Sequence, residues 1–186
     1  MSNLYLDQFS VNFNFEMNLP PYNLFPVIKT DRISLREIIT SDLNDIIEIS
    51  YYNSRLAGSE EEALEMLNKI NTDYMNGRSI HWGIEEISAG SIAGTIGFYR
   101  GFDHSTGELG CILLPSFRGK GIMTEAMRSI VDFGFNTAGL KRIKAVTSNQ
   151  NIKALRLIER LGFIKSSELQ NDNAEFELTR RDFSKT

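Results

Sequence analysis

The residues most suited to chemistry are Ser116-Phe117-Arg118-Gly119-Lys120-Gly121. They follow an apolar run, Leu109 to Leu114, that ends at Pro115, and they precede an amphipathic stretch that begins at Ile122. A helix starting there exposes backbone N–H groups that have no partner within the helix, and these attract anions, phosphate above all. Glycine at 119 and 121 lets the backbone close on oxygen atoms that a side chain would block. Two familiar phosphate loops are excluded by spacing. A P-loop needs glycine where Leu114 stands and Ser or Thr where Gly121 stands. A dinucleotide fingerprint needs glycine where Thr124 stands. The turn is therefore read as a grip on the diphosphate of a nucleotide-bearing cofactor, by another arrangement.

Other reactive residues are sparse. The chain has one cysteine, Cys111, which excludes an internal disulfide and a cysteine-based zinc site. Cys111 alternates within an apolar stretch with no histidine near it in sequence, and is expected as a small buried hydrophobe rather than a nucleophile. The two histidines are too few for a metal cluster, so no metal is expected. His81, beside Trp82, reads as structural, and His104 as a turn residue. The net charge of −4 comes with no basic stripe, which argues against a nucleic-acid partner. No apolar run reaches transmembrane length and no secretory signal opens the chain, so a cytoplasmic protein without membrane attachment is expected.

The elements that must position the turn follow from periodicity. At 186 residues and 41% hydrophobic, the chain suits one domain with a real core. Phe9, Val11, Phe13, Phe15 and Met17 alternate with polar residues, predicting a strand with one greasy face. It would pair with its own sheet edge or with a neighbouring subunit, the latter making a homodimer. Residues 1–26 are thus read as an N-terminal extension with one edge strand, and residues 27–186 as the domain. Thr30 to Ile39 predicts a second strand, followed by a helix capped by Thr40 or Ser41. Ser59 and Glu62 predict a capping box on a helix that Gly77 ends. Three strands follow, about 80–87, 91–100 and 107–114, as an antiparallel meander. Ile122 to Asn136 reads as a helix with one apolar face, and Arg142 to Ser148 as a strand. Strand, helix, strand at this length is a crossover, so the strands before and after it should be parallel. A last helix runs from Asn151 or Ile152 to Gly162, and a hairpin closes the chain. The whole is one α+β domain with a mixed sheet.

The turn resembles the cofactor loop of the GNAT superfamily of N-acetyltransferases. That loop is Gln or Arg, two variable residues, Gly, one variable residue, then Gly or Ala; here Ser116 departs at the first position. A second match follows in NIKALRLIERLGF, Asn151 to Phe163, where the family places an Asn at the helix start and ends the helix in Leu-Gly-Phe. GIMTEAM and RLGF look most like the branch that acetylates N-terminal residues of ribosomal proteins. The resemblance covers roughly residues 30 to 180. It implies a mostly antiparallel central sheet with helices on both faces, and acetyl-CoA as cosubstrate. It also implies cofactor contacts at Ile112, Leu113, Leu114, Arg118, Gly119, Lys120, Gly121, Ile122, Met123, Thr124 and Asn151, with Arg118 or Lys120 supplying the contact that Ser116 lacks.

The implied reaction is direct attack of an amine on the acetyl thioester. Deprotonating a lysine-type amine at pH 7 costs about 4.6 kcal/mol, an α-amine only about 1.1. An N-terminal α-amine of a protein or peptide is therefore the leading acceptor. A small amine, polyamine or antibiotic is the alternative, and a non-catalytic acyl-CoA-binding module a third reading. Family members often carry a carboxylate before the cofactor strand as a base, which makes Glu108 the catalytic candidate, with Tyr99 and Glu85 behind it. The Tyr or Ser that many relatives use to protonate the leaving thiolate is replaced by Ile158 and Ala154, leaving Ser148 or a water. A backbone N–H near Leu113 or Leu114 is expected to hold the oxyanion.

Overall fold

The structure, a computed structural model, describes residues 17–52 and 55–183. The strand expected from Phe9 lies outside them except for Met17, which is in no strand.

An eight-stranded sheet forms the middle layer. Its strands are β1 (Ile28–Lys29), β2 (Ile33–Arg36), β5 (Ile80–Glu86), β6 (Ser91–Tyr99), β7 (Thr106–Leu113), β8 (Arg142–Ser148), β9 (Ile164–Glu168) and β10 (Asn173–Thr179). Their order across the sheet is β1-β2-β5-β6-β7-β8-β10-β9. All neighbours are antiparallel except β7 and β8, which the crossover makes parallel as expected. A small hairpin of β3 (Tyr51–Tyr52) and β4 (Arg55–Leu56) stands apart. Helices α1 (Leu43–Ile46) and α2 (Glu60–Met75) lie on one face. Helices α3 (Ile122–Asn136) and α4 (Ile152–Arg160) lie on the other, and α5 (Arg180–Phe183) follows β10.

Two cores result, one per face. The larger is built on Trp82, Ile96, Phe98, Ile130 and Phe135, all fully buried between the sheet and α3. Truncating such an aromatic to Ala typically costs about 3–5 kcal/mol. The smaller joins Ile38, Leu43, Ile46, Met66 and Leu67 under α1 and α2. The segment before β1 packs on the larger core. Tyr22 and Phe25 meet Phe133 and Trp82 edge-on, and Trp82 donates its indole N–H to the Pro26 carbonyl at 2.7 Å.

Several local expectations need correction. Strand β2 is shorter than Thr30 to Ile39, because Thr30 and Ile33 bond each other across a tight turn. Neither Thr40 nor Ser41 caps the next helix. The Asp42 carboxylate takes the Ile39 N–H at 2.9 Å, and residues 40–49 form 3-10 turns around the four-residue α1. Only half of the capping box forms. Ser59 accepts from Glu62 N–H, but the Glu62 carboxylate reaches past Ser59 to Gly58 N–H at 2.7 Å. Both arrangements still satisfy orphan amides, by donors and acceptors one residue removed.

Candidate active site

The turn after β7 is built from backbone geometry. Pro115–Phe117 make one 3-10 turn, and Gly119 and Gly121 adopt φ of +78° and +79°. That left-handed conformation costs an L side chain roughly 1–2 kcal/mol, which is why glycine stands there. Gly121 is the N-cap of α3 and no side chain caps that helix. Its first turn therefore presents free amides to the outside. Arg32 braces the turn from the sheet side. It donates to the Lys120 carbonyl at 3.1 Å and to Glu125 of α3 at 2.8 Å. Glu125 also accepts from Thr30. Burial acts to raise the Glu125 carboxyl, but hydrogen bonds from Thr30 and Arg32 and the charge of Arg32 hold it lowered.

Beside the turn the sheet opens. β7 and β8 pair only at Thr106–Arg142, Gly107–Ile143 and Glu108–Lys144, after which β8 continues against β10 alone. The β7 register on β6 decides which amides remain. Leu114 N–H bonds the Ala93 carbonyl at 2.9 Å, so the alternation of an antiparallel ladder turns Ile112 toward β6 and Cys111 and Leu113 toward the gap. Arg118 reaches back to the Leu113 carbonyl at 3.1 and 3.0 Å.

On the α1–α2 face, two contiguous cavities reach the same strand. The first, about 380 Å³, has walls of Leu43, Ile46, Ile49, Met66 and Leu67 and a floor that includes His81, Tyr99 and Cys111. The second, about 700 Å³, carries the charged groups Asp73, Arg78, Arg100, Asp103 and Glu108. They share Tyr51, Ile70, Tyr99 and Gly110. The turn follows the strand edge that β8 leaves free, and the first cavity meets that same strand at Gly110 to Ile112.

Residues 32–164 match the acetyltransferase (GNAT) domain. The chain belongs to the GNAT acetyltransferase family. It is 33% identical over 155 residues to the uncharacterised N-acetyltransferase YoaA of Bacillus subtilis, covering 79% of this chain and 88% of the relative. A shorter match, 30% over 69 residues and 37% of each chain, is to spermidine N(1)-acetyltransferase of Escherichia coli. In fold it is similar to ribosomal-protein-S5-alanine acetyltransferase of Vibrio fischeri, with TM-score 0.72, 19% identity and coverage of 85% of this chain and 98% of the other. Spermidine N-acetyltransferase of Vibrio cholerae gives TM-score 0.70, 21% identity, and 83% and 97% coverage. The chain is thus an acetyl-CoA-dependent GNAT N-acetyltransferase. A ribosomal-protein enzyme and polyamine enzymes both occur among these matches, which therefore do not select the single branch suggested by GIMTEAM and RLGF.

In this GNAT domain the expected site residues fall into groups. Gly119, Lys120, Gly121, Ile122, Met123 and Thr124 form the bare turn, with the Lys120 ammonium 5.1 Å above the Phe117 ring. Leu113 faces the gap, whereas the backbone of Ile112 and the Leu114 N–H are engaged by β6. Leu114 N–H is therefore already taken, whereas Leu113 N–H points to the gap. Asn151 caps α4, its side-chain oxygen accepting from Ala154 N–H at 3.2 Å. Ile158 is buried in the larger core, and the Ser148 hydroxyl accepts from Gln150 N–H at 3.1 Å.

Glu108 lies at the mouth of the second cavity, paired with Arg100 and with Lys144 at 3.3 Å. Glu85 pairs with Arg36 at 3.1 Å. Cys111 corrects its expectation. It is exposed at the cavity wall, because β8 has left its side of the strand. The protein around the sulfur raises its thiol rather than lowering it, so nothing there favours a thiolate. His81 lines the cavity rather than the core that holds Trp82. Both its ring nitrogens are shut from solvent without partners, its ring lies 5.4 Å from that of Tyr99, and burial lowers it to about 4, so it is neutral. Burial raises the Tyr99 phenol well above its ordinary value. The sequence reading missed the cavity walls. Leu43, Ile46, Met66 and Leu67 carry the same apolar signal as core residues, and nothing in their spacing distinguishes the two.

Proposed function

We propose that this GNAT enzyme acetylates the α-amine at the N-terminus of a protein or peptide. Acetyl-CoA supplies the activated acetyl thioester. The amides of Gly119 to Thr124 hold its diphosphate, and the backbone of Cys111 and Leu113 pairs with its amide-bearing arm as an added strand would. Arg32 keeps the turn in place from behind.

The observation that carries the acceptor assignment is the state of the bases. Glu108 is committed to two cations, His81 is neutral with its nitrogens shut away, and the Cys111 thiol is raised. A first cavity lined by no carboxylate, with His81 neutral, suits an amine that is already largely neutral. The α-amine, with an ordinary pKa of about 7.7–8.0, meets that condition, and a lysine-type or polyamine nitrogen near 10.4 does not.

The test is thiol release from acetyl-CoA across a panel of free peptides, the same peptides blocked at the N-terminus, and spermidine. Turnover confined to the free peptides is expected. Turnover with spermidine alone would overturn the assignment in favour of the small-amine reading.

A further inference from the structure

The first cavity has an unusual lining for an amine-handling site. Among the described residues, no Asp, Glu, Lys or Arg lines it. Its polar side chains include the Ser50, Tyr51, Thr95 and Tyr99 hydroxyls and the neutral His81. Charged groups begin only where the second cavity begins, at Asp73, Arg78, Arg100, Asp103 and Glu108. The seam between the two runs through Tyr51, Ile70, Tyr99 and Gly110.

We infer that the first cavity receives a large apolar side chain on the acceptor's N-terminal residue, while the rest of the peptide leaves through the charged second cavity. This rests on the α-amine reading above and names the acceptor class within it.

Four observations carry it. The volume, about 380 Å³, lies at the lower end for small-molecule sites and leaves room for a leucine-, methionine- or phenylalanine-sized group. An ammonium or carboxylate on that side chain would be buried without a counter-ion, which is unfavourable. An alanine or serine side chain would leave the apolar walls of Leu43, Ile46, Met66 and Leu67 unfilled. The floor also reaches the cofactor gap: Cys111 lines the cavity, and its backbone faces the space between β7 and β8. A residue seated there brings its own amine to the strand edge, and only its chain beyond the first residue needs the charged exit.

The experiment measures kcat/KM for a set of free-N-terminus peptides that differ only in residue one. Leu, Met and Phe should exceed Ala, Ser, Lys and Glu by at least about tenfold, the scale at which apolar pockets discriminate methylene groups. Ala63, on α2 and lining the cavity, provides the control. The variant Ala63→Met narrows the cavity and should reverse the order toward Ala and Ser, with its folding checked by thermal melting. If Ala63→Met fails to fold, the peptide series on the wild-type protein decides alone. Equal rates across all first residues would overturn the inference and leave the α-amine reading standing. Turnover of blocked peptides or of spermidine alone would instead remove that reading itself.

Discussion

The donor side and the acceptor side of this enzyme are made of different material. On the proposed donor side the groups on offer are main-chain: the amides of the Gly119–Thr124 turn and the freed edge of β7. Side chains there serve as braces, Arg32 under the turn and Arg118 on the Leu113 carbonyl. On the acceptor side the working surface is side-chain, gathered from α1, α2, β5, β6 and β7. A ligand common to a whole family can be held by backbone that any sequence supplies, given glycine in two places. A ligand particular to one member must be read by side chains, and these are free to change.

The comparison breaks most readily at Gly121. The substitution Gly121→Val puts a β-branched residue at φ +79° and points its Cβ toward Arg32, 3.6 Å away. Losing two amide contacts to a charged ligand should weaken coenzyme A binding by about 100-fold or more in calorimetry. Unchanged affinity would show that the turn does not hold the cofactor.

Arg32→Ala should have the next largest effect, about tenfold in the same measurement, because the brace on Lys120 and Glu125 goes while the amides stay. Peptide KM should not move. A change in acceptor KM alone would erase the proposed division between the two sides.

His81 gives a pH test of the acceptor side. Its folded value of about 4 lies below the ordinary 6.5, so the unfolded chain binds more protons between those limits. The stability due to its neutral form is complete above about pH 6.5 and is lost as pH falls toward 4. Urea titrations at pH 7 and pH 4.5 should show a larger drop for the wild type than for His81→Gln. Parallel drops would mean that the imidazole is not held dry under the cavity.

The smallest expected effect is at Asn151. Removing a cap costs about 1 kcal/mol, or roughly 2–4 °C in melting temperature for a domain of this size. Asn151→Ala should show that loss, and Asn151→Asp should restore the melting temperature because its carboxylate still takes Ala154 N–H. If Asn151→Asp also keeps full coenzyme A affinity, the residue acts as a cap and not as a contact to the diphosphate.

The same contrast explains what the sequence disclosed. Ile122–Asn136 and Arg142–Ser148 were legible to the residue, since a 3.6-residue apolar period and a crossover leave little freedom. The turn was legible because glycine adopts its φ values without the penalty an L side chain carries there. Cys111 was not. Alternation placed it on an apolar strand, but its exposure depends on β8 departing after Lys144, a non-local event with no trace in the residues around Cys111. The split of residues 40–49 into short turns was equally hidden, because the Arg36–Asp42 ion pair that holds Asp42 near Ile39 reaches back across the preceding loop. Burial acts to raise the Asp42 carboxyl, but hydrogen bonds from Arg36 and Ile39 and the charge of Arg36 leave it lowered.

The chain's single tryptophan has a practical consequence. Trp82 is fully buried, with its indole N–H on the Pro26 carbonyl and its ring against Phe25 and Phe133 of α3. Its emission is therefore a native optical gauge of whether the stretch before β1 and helix α3 are both seated, and it can be read on every variant named above without adding a label.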